Sequence, residues 1–322
     1  MDQKAVFQTV AHEFDAVNST IHQYLASNVP MVEKVAEYII DSGGKRLRPM
    51  LVLLSAGLAG KISPDHHLLA AIIEFLHTAT LLHDDVVDKS DMRRGRPTAN
   101  ANWGNAPSVL VGDFLYARSF EMLVKLGNLD VMGQLSGTTR VIAEGEVMQL
   151  MNVKNPNTSE AQYMEVITGK TAILFKASAQ TAGIIAGYTS EQNAALADYG
   201  LHLGLAFQLI DDVLDYAGDS ATLGKNVGDD LAEGKPTLPL IHAMEHGTDL
   251  DKKLIKECIR KGGLVHLDEV LAIIDKTNSL NYVIDTAKQH ADKAKESLSL
   301  FADSTYKTAM LALADIAVAR DK

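Results

Sequence analysis

Residues 68–88 read LLAAIIEFLHTATLLHDDVVD, a long and nearly all-apolar run that closes on Asp84, Asp85 and Asp88. It reads as one helix. Positions 77, 81, 84 and 88 step by four, three and four, which puts His77, Leu81, Asp84 and Asp88 on one face. Like charges four apart cost an isolated helix roughly 0.2–0.5 kcal/mol, and aspartate is a poor helix former. Capping does not explain them, because these acids follow the apolar run instead of opening it. A hard cation does, since paired carboxylates are how magnesium is held when it also carries a substrate phosphate. The pattern then recurs. YGLHLGLAFQLIDDVLDY, residues 199–216, carries Asp211, Asp212 and Asp215 behind a second apolar run. A single DDxxD is a weak signal in a helical protein. Two copies, each at the carboxyl end of a buried-looking helix, are far more specific than a solvated face would require.

The 322 residues suffice for a substantial core. Aromatics are scarce and aliphatics dominate, which favours helices over a β-sandwich. A net charge of −11 argues against a nucleic-acid surface. The one cysteine, Cys258, excludes an internal disulfide and agrees with a reducing compartment such as the cytoplasm. The N-terminal MDQKAVFQTVAHEF has no signal-peptide pattern, and no apolar stretch makes a convincing span of ~20 residues, so stable membrane insertion is not expected.

In chain order, residues 1–41 read as two amphipathic helices parted at Ser27–Pro30. They lead into Gly43-Gly44-Lys45-Arg46-Leu47-Arg48-Pro49, a tight basic loop. An apolar helix runs from Met50 to Gly57, and Ser63-Pro64-Asp65 opens the key helix. After Asp88 comes a second basic loop, Lys89 to Pro97, with Arg93-Arg94-Gly95-Arg96. Guanidiniums bind phosphate bidentately, so acids followed by paired arginines suit a metal-bridged diphosphate. Pro107–Gly127, 135–151 and Ala161–Gly187 read as further helices. The last holds Gly169-Lys170-Thr171, but Met164 stands where a Walker A loop needs glycine, and no strand precedes it. A polar segment, 218–239, holds Lys225, Asp229, Asp230 and Lys235. From about Leu250 three amphipathic helices follow, and no convincing strand is seen. The expected architecture is all-α, a single large helical bundle around a central apolar cavity, with residues 1–322 as one domain.

Acid clusters, basic loops and apolar helix faces together suit an amphiphile with a diphosphate head and a hydrocarbon tail. Leu68 lies ~24 Å behind Asp84 at the helical rise. There is no nucleophile elbow, Cys/His metal set or dinucleotide fingerprint. Metal ions acting as Lewis acids on a departing diphosphate need none of these, and an apolar shaft would keep water from a carbocation.

GGKRLRP (43–49), FLHTATLLHDDVVDKSDMRRGRPTAN (75–100), GKT (169–171), FQLIDDVLDY (207–216) and LGKNVGDDLAEGKPTLP (223–239) together resemble the all-trans polyprenyl diphosphate synthases, in order and spacing, over nearly the whole chain. The resemblance implies repeated condensation of isopentenyl diphosphate with an allylic diphosphate such as farnesyl diphosphate. The product expected is in the octaprenyl range, for a quinone side chain. It implies magnesium held by Asp84, Asp88, Asp211, Asp212 and Asp215, with Asp85 in support and Lys170 counted with the catalytic groups. Arg93, Lys170, Thr171, Gln208, Lys225 and Lys235 would contact the allylic diphosphate. Lys45, Arg48, His77 and Arg94 would bind isopentenyl diphosphate. His83 has no such support and reads as structural. Small Ala79 and Thr80, one turn before Asp84, with Leu76 a turn deeper, predict a shaft open to long products, floored by Phe120, Met122 or Leu123 of a facing helix. A homodimer is the family expectation. A terpene cyclase or head-to-head condensing enzyme would lack Lys45, Arg48 and His77 as a set. A non-catalytic subunit or lipid-binding module would not need all six aspartates.

Overall fold

The computed structural model describes residues 1–217 and 227–319, and these are almost entirely helical. They form two compact units. The first comprises Met1–Thr139, Leu174–Gly200 and Ser297–Leu313; the second comprises Arg140–Ile173, Leu201–Glu296 and the segment from Ala314 on.

In the first unit, α1 (Gln3–Gln8), α2 (Ala11–Leu25) and α3 (Pro30–Asp41) occupy the N-terminal segment, where two helices were expected. The extra break falls at Thr9 and Val10. α2 buries Phe14, Val17, Ile21 and Leu25 at three- and four-residue spacing, and Pro30 starts α3 where its missing N–H costs nothing. α4 (Leu47–Gly57) is buried almost throughout. α5 (Pro64–Val87) is the expected key helix, and Asp88 caps its end. At its start the Ser63 N–H donates to His66 Nδ1 at 3.2 Å, while His66 Nε2 meets the Ala182 carbonyl at 3.2 Å. The carbonyl can only accept, so the proton sits on Nε2 and this buried histidine is neutral, in line with the downward push that burial gives its pKa.

A two-residue hairpin, β1 (Met92–Arg93) with β2 (Arg96–Pro97), follows α5, although no strand was expected. Its turn residues Arg94 and Gly95 both have positive φ, 52° and 73°, the geometry that matches the twist of a tight hairpin. α6 (Ala99–Trp103) leads to α7 (Asn105–Leu126), which packs along α5. Gly112 permits that approach: a Cβ there would stand 2.4 Å from His83 Nε2. His83 itself meets the Val109 carbonyl at 3.2 Å and Asp113 at 3.3 Å, a structural role as expected.

α8 (Leu129–Asn152) continues from the first unit into the second. There α9 (Glu160–Ile167) is followed by a π-helical turn, Thr168–Ala172, and by α10 (Ile173–Ala186). α11 (Ser190–Ala217) carries the second aspartate cluster. α12 (Asp229–Glu233) and α13 (Leu238–His246) precede four C-terminal helices, where three were expected: α14 (Asp249–Lys261), α15 (Leu267–Lys276), α16 (Ser279–Ser297) and α17 (Thr305–Val318). The core of the second unit gathers Leu205, Leu209, Ile210 and Val213 of α11 with Leu240, Ile255, Ile259 and Val283. Among the described residues, no helix is long and apolar enough to cross a membrane.

Candidate active site

In the first unit the end of α5 fixes three carboxylates in two environments. Asp84 and Asp88 are half-buried. Asp85 turns the other way and is 1% exposed. It receives Arg93 in a fork, with Nε at 2.9 and 3.1 Å from the two carboxylate oxygens and Nη2 at 2.7 Å. Such a paired guanidinium–carboxylate bond is directional as well as strong. The hairpin that delivers Arg93 is fastened by Thr98 Oγ1, which donates to the Ser90 carbonyl at 2.7 Å, and by Tyr38, which donates to the Pro97 carbonyl at 2.7 Å. Arg93, expected on substrate, is thus placed on Asp85.

The same hairpin brings Arg94 to the glycine loop. Gly44 has φ 152°, and a Cβ there would stand 2.6 Å from Arg94 Nη1, so the guanidinium lies where a side chain would be. Arg48 enters from the start of α4, with Nη1 3.2 Å from His77 Nε2 and its guanidinium 4.3 Å from the Phe175 ring centre. An arginine can only donate, so His77 accepts at Nε2 and carries its proton at Nδ1. Burial, then the charges of Arg48, Arg94, Arg93 and Arg46, hold the imidazole well below its ordinary pKa. Arg48, His77 and Arg94 are therefore assembled around a neutral imidazole. Lys45 is exposed beside them in the loop.

In the second unit the end of α11 repeats the division. Asp211 and Asp215 are half-buried, whereas Asp212 is 4% exposed. Both Asp212 oxygens accept hydrogen bonds from neutral groups: Tyr163 Oη at 2.6 Å and Gln208 Nε2 at 2.8 Å. Gln208 in turn accepts from Thr171 Oγ1 at 2.9 Å, so the GKT segment, Gln208 and Asp212 form one relay of hydrogen bonds. Burial pushes the Asp212 carboxyl well up, the Asp230 charge adds to this, and the two donors work against it. Asp230 is itself drawn to the cluster, its N–H donating to Asp215 Oδ2 at 3.2 Å.

The π-helical turn explains why GKT sits inside helical periodicity without a phosphate loop. Gly145 of α8 and Gly169 face each other, and a Cβ at Gly145 would stand 2.8 Å from the Gly169 carbonyl carbon. That approach lets Lys170 Nζ reach Glu146 at 2.8 Å. Lys235 Nζ meets Glu233 at 2.5 Å. Lys225 lies outside the described residues. Leu76 and Ala79 are buried in α5, and Thr80 is half-buried with Oγ1 donating to the His77 carbonyl at 2.7 Å. Met122 and Leu123 of α7 are buried and Phe120 is half-buried.

Among the described residues, no group of three acidic, histidine or cysteine side chains already converges as a metal site. The donor set still fits a cation that binds through one or two carboxylates and completes its octahedron with water and phosphate. Asp84 with Asp88, and Asp211 with Asp215, each offer such a pair on one helix face.

Tyr163, Asp230 and Glu74 escaped the motif reading as site components. Tyr163 is 49 positions from Asp212, with no local signal. Asp230 was visible in the polar segment but had no partner to identify it. Glu74 shares the face of His77, since positions 74 and 77 extend the same spacing, and it appeared only as an interruption of the apolar run.

The polyprenyl synthetase family profile matches residues 29–277, a stretch that runs through both compact units. The chain is 51% identical to octaprenyl diphosphate synthase of Escherichia coli (strain K12) over 323 aligned positions covering the whole of both chains. It is 45% identical to an all-trans-nonaprenyl-diphosphate synthase (geranyl-diphosphate specific) of Rhodobacter capsulatus, covering 98% of this chain and 97% of the relative. Among solved structures it is similar to a polyprenyl synthase from Caulobacter crescentus CB15 complexed with calcium and isoprenyl diphosphate, with a TM-score of 0.96, 43% identity, and coverage of 100% and 98% of the two chains. The fold class, the aspartate motif recurring on two helices and this full-length likeness agree, and the chain belongs to the polyprenyl synthetase family, the trans-prenyltransferases that condense isopentenyl diphosphate with allylic diphosphates.

Proposed function

We propose that this chain is a magnesium-dependent long-chain prenyltransferase. It extends farnesyl diphosphate or a similar starter with isopentenyl diphosphate, repeatedly, to an octaprenyl-range product for a quinone side chain. The observation that carries the reading is the shared construction of the two clusters: in each, the first and last aspartates stay half-buried while the middle one is buried and held by the protein.

In this reading Asp84, Asp88, Asp211, Asp212 and Asp215 hold magnesium. Asp212 remains in the set because a carboxylate has about four acceptor positions, and Tyr163 and Gln208 take two of them. Bound magnesium would supply Lewis-acid stabilisation of the departing diphosphate. Asp85 fixes Arg93, and Asp212 fixes Gln208 and through it Thr171, so the groups that touch the allylic diphosphate are set before it arrives. Lys170, Lys225 and Lys235 add charge to the same head group. Lys45, Arg48, His77 and Arg94 hold isopentenyl diphosphate, and the neutral His77 can donate from Nδ1. The allylic carbon–oxygen bond breaks, the isopentenyl double bond supplies the electron pair of the new carbon–carbon bond, and the released diphosphate takes the proton. Small Ala79 and Thr80 leave the tail a path past Leu76. The working form is a cytoplasmic homodimer in which residues 1–322 act as one catalytic domain.

Incorporation of labelled isopentenyl diphosphate by the purified chain tests this reading. Turnover should require both a divalent cation and an allylic diphosphate. No incorporation by folded protein with magnesium present would overturn it in favour of a non-catalytic subunit.

A further inference from the structure

The motif reading gives Lys45 and Arg48 to a diphosphate and leaves Arg46, between them, and Glu74, on α5, without a task. The structure joins these two. Glu74 is 8% exposed and stands one turn before His77 on the face that also carries Asp84 and Asp88. Arg46 Nε lies 3.3 Å from Glu74 Oε1. Arg46 occupies the N-cap of α4 with φ 47° and ψ 37°. A non-glycine residue enters that left-handed region only where its surroundings hold it there. The Arg46 side chain is held at a second nitrogen, since Nη2 also reaches the Ile40 carbonyl at 3.4 Å.

This turn sends Arg46 inward and leaves its neighbours free to face elsewhere. Lys45 is exposed, and Arg48 lies across the Phe175 ring with Nη1 on His77. A buried carboxylate close to where a diphosphate must sit repels that ligand, so attraction cannot be its purpose. The charges of Arg46, Arg48 and Arg94 oppose the effect of burial on Glu74, which places the acid among the cations of this site. What it supplies is position.

We propose that Glu74 is a positioning residue for isopentenyl diphosphate. Through its ion pair with Arg46 it clamps the 43–49 loop to α5 and so fixes where Lys45 and Arg48 present their charges. This inference rests on the prenyltransferase reading above.

The test compares Glu74→Gln, Arg46→Met and the double variant in steady-state assays that vary isopentenyl diphosphate and farnesyl diphosphate separately. Each single variant should raise KM for isopentenyl diphosphate about tenfold, as expected when a charged partner is removed, with kcat and KM for farnesyl diphosphate within about twofold. The double variant should be no worse than either single one, because both break the same clamp. Arg46→Lys and Glu74→Asp, which keep the charges, should recover part of the affinity and serve if the larger changes impair folding. An unchanged KM for isopentenyl diphosphate would overturn the proposal, as would an equal rise for both substrates or multiplying defects in the double variant. An inactive wild-type chain would instead overturn the function on which it rests.

Discussion

The two aspartate clusters share a spacing and differ in what holds their middle residue. Asp85 is met by a full positive charge, the Arg93 fork at 2.7–3.1 Å. Among the described residues, Asp212 is met by neutral donors, Tyr163 and Gln208, and has Asp230 nearby to raise its carboxyl further. The first cluster is therefore charge-compensated by its own hairpin. In the second, the buried carboxyl sits beside further acids, with Asp230 and Asp211 both raising it. A DDxxD on a helix specifies which carboxylates share a face, but the segments packed against it decide what holds the middle one.

The largest effects should come from the outward acids, where both clusters are expected to behave alike. Asp84→Asn and Asp211→Asn should each lower kcat by at least about 10³-fold, in the range of lost electrostatic stabilisation at a transition state, and a chelator should abolish turnover of the wild type. Single-turnover rates at saturating magnesium check this. A severe loss at only one cluster would break the symmetry of the account.

The middle aspartates should separate the clusters. Asp85→Asn strands the Arg93 guanidinium and should cost about 2 kcal/mol of stability, below the full penalty of orphaning a buried charge because Arg93 is 29% exposed. Tyr163→Phe removes one donor and should cost about 1 kcal/mol. Asp212→Asn keeps an acceptor and removes a charge that burial and Asp230 disfavour, so its net cost should stay below about 1 kcal/mol. Urea denaturation of the metal-free proteins ranks the three. Equal losses for Asp85→Asn and Asp212→Asn would remove the electrostatic distinction.

The last effect appears only in acid and concerns the background of that comparison. In the unit that holds the second cluster, His202 and His290 meet Nδ1 to Nδ1 at 2.9 Å, and burial followed by the His202 charge depresses His290 to about 4. The folded state then binds fewer protons than the unfolded chain between about pH 6.5 and 4, so stability falls as pH drops through that window. His290→Asn should flatten this slope in denaturation measured across the window, leaving the Asp85–Asp212 difference unchanged.

The sequence carried the long helices and the acid pairs because apolar spacing and helix geometry are local properties. Ser63-Pro64 marks the start of α5, and the four-and-three steps alone put His77 and Asp84 on one face. The hairpin at 92–97 was hidden because its strands are two residues long, shorter than any alternation can reveal. The π-helical turn under Lys170 depends on Gly145 meeting Gly169, a contact between segments 24 positions apart. Tyr163 on Asp212 and Arg46 on Glu74 were illegible for the same reason: each is a tertiary pairing, and neither partner marks the other in sequence. Residues 218–226, with Lys225, fall outside what the structure describes.

The central claim is that these clusters serve chain elongation to a long product. Purified protein with magnesium, farnesyl diphosphate and labelled isopentenyl diphosphate, followed by chromatography of the dephosphorylated products, addresses it directly. A dominant product in the octaprenyl range is predicted, and Ala79→Tyr should shorten it. A product that stops at geranylgeranyl length would contradict the path proposed past Ala79 and Thr80, and no incorporation at all would contradict the elongation chemistry itself.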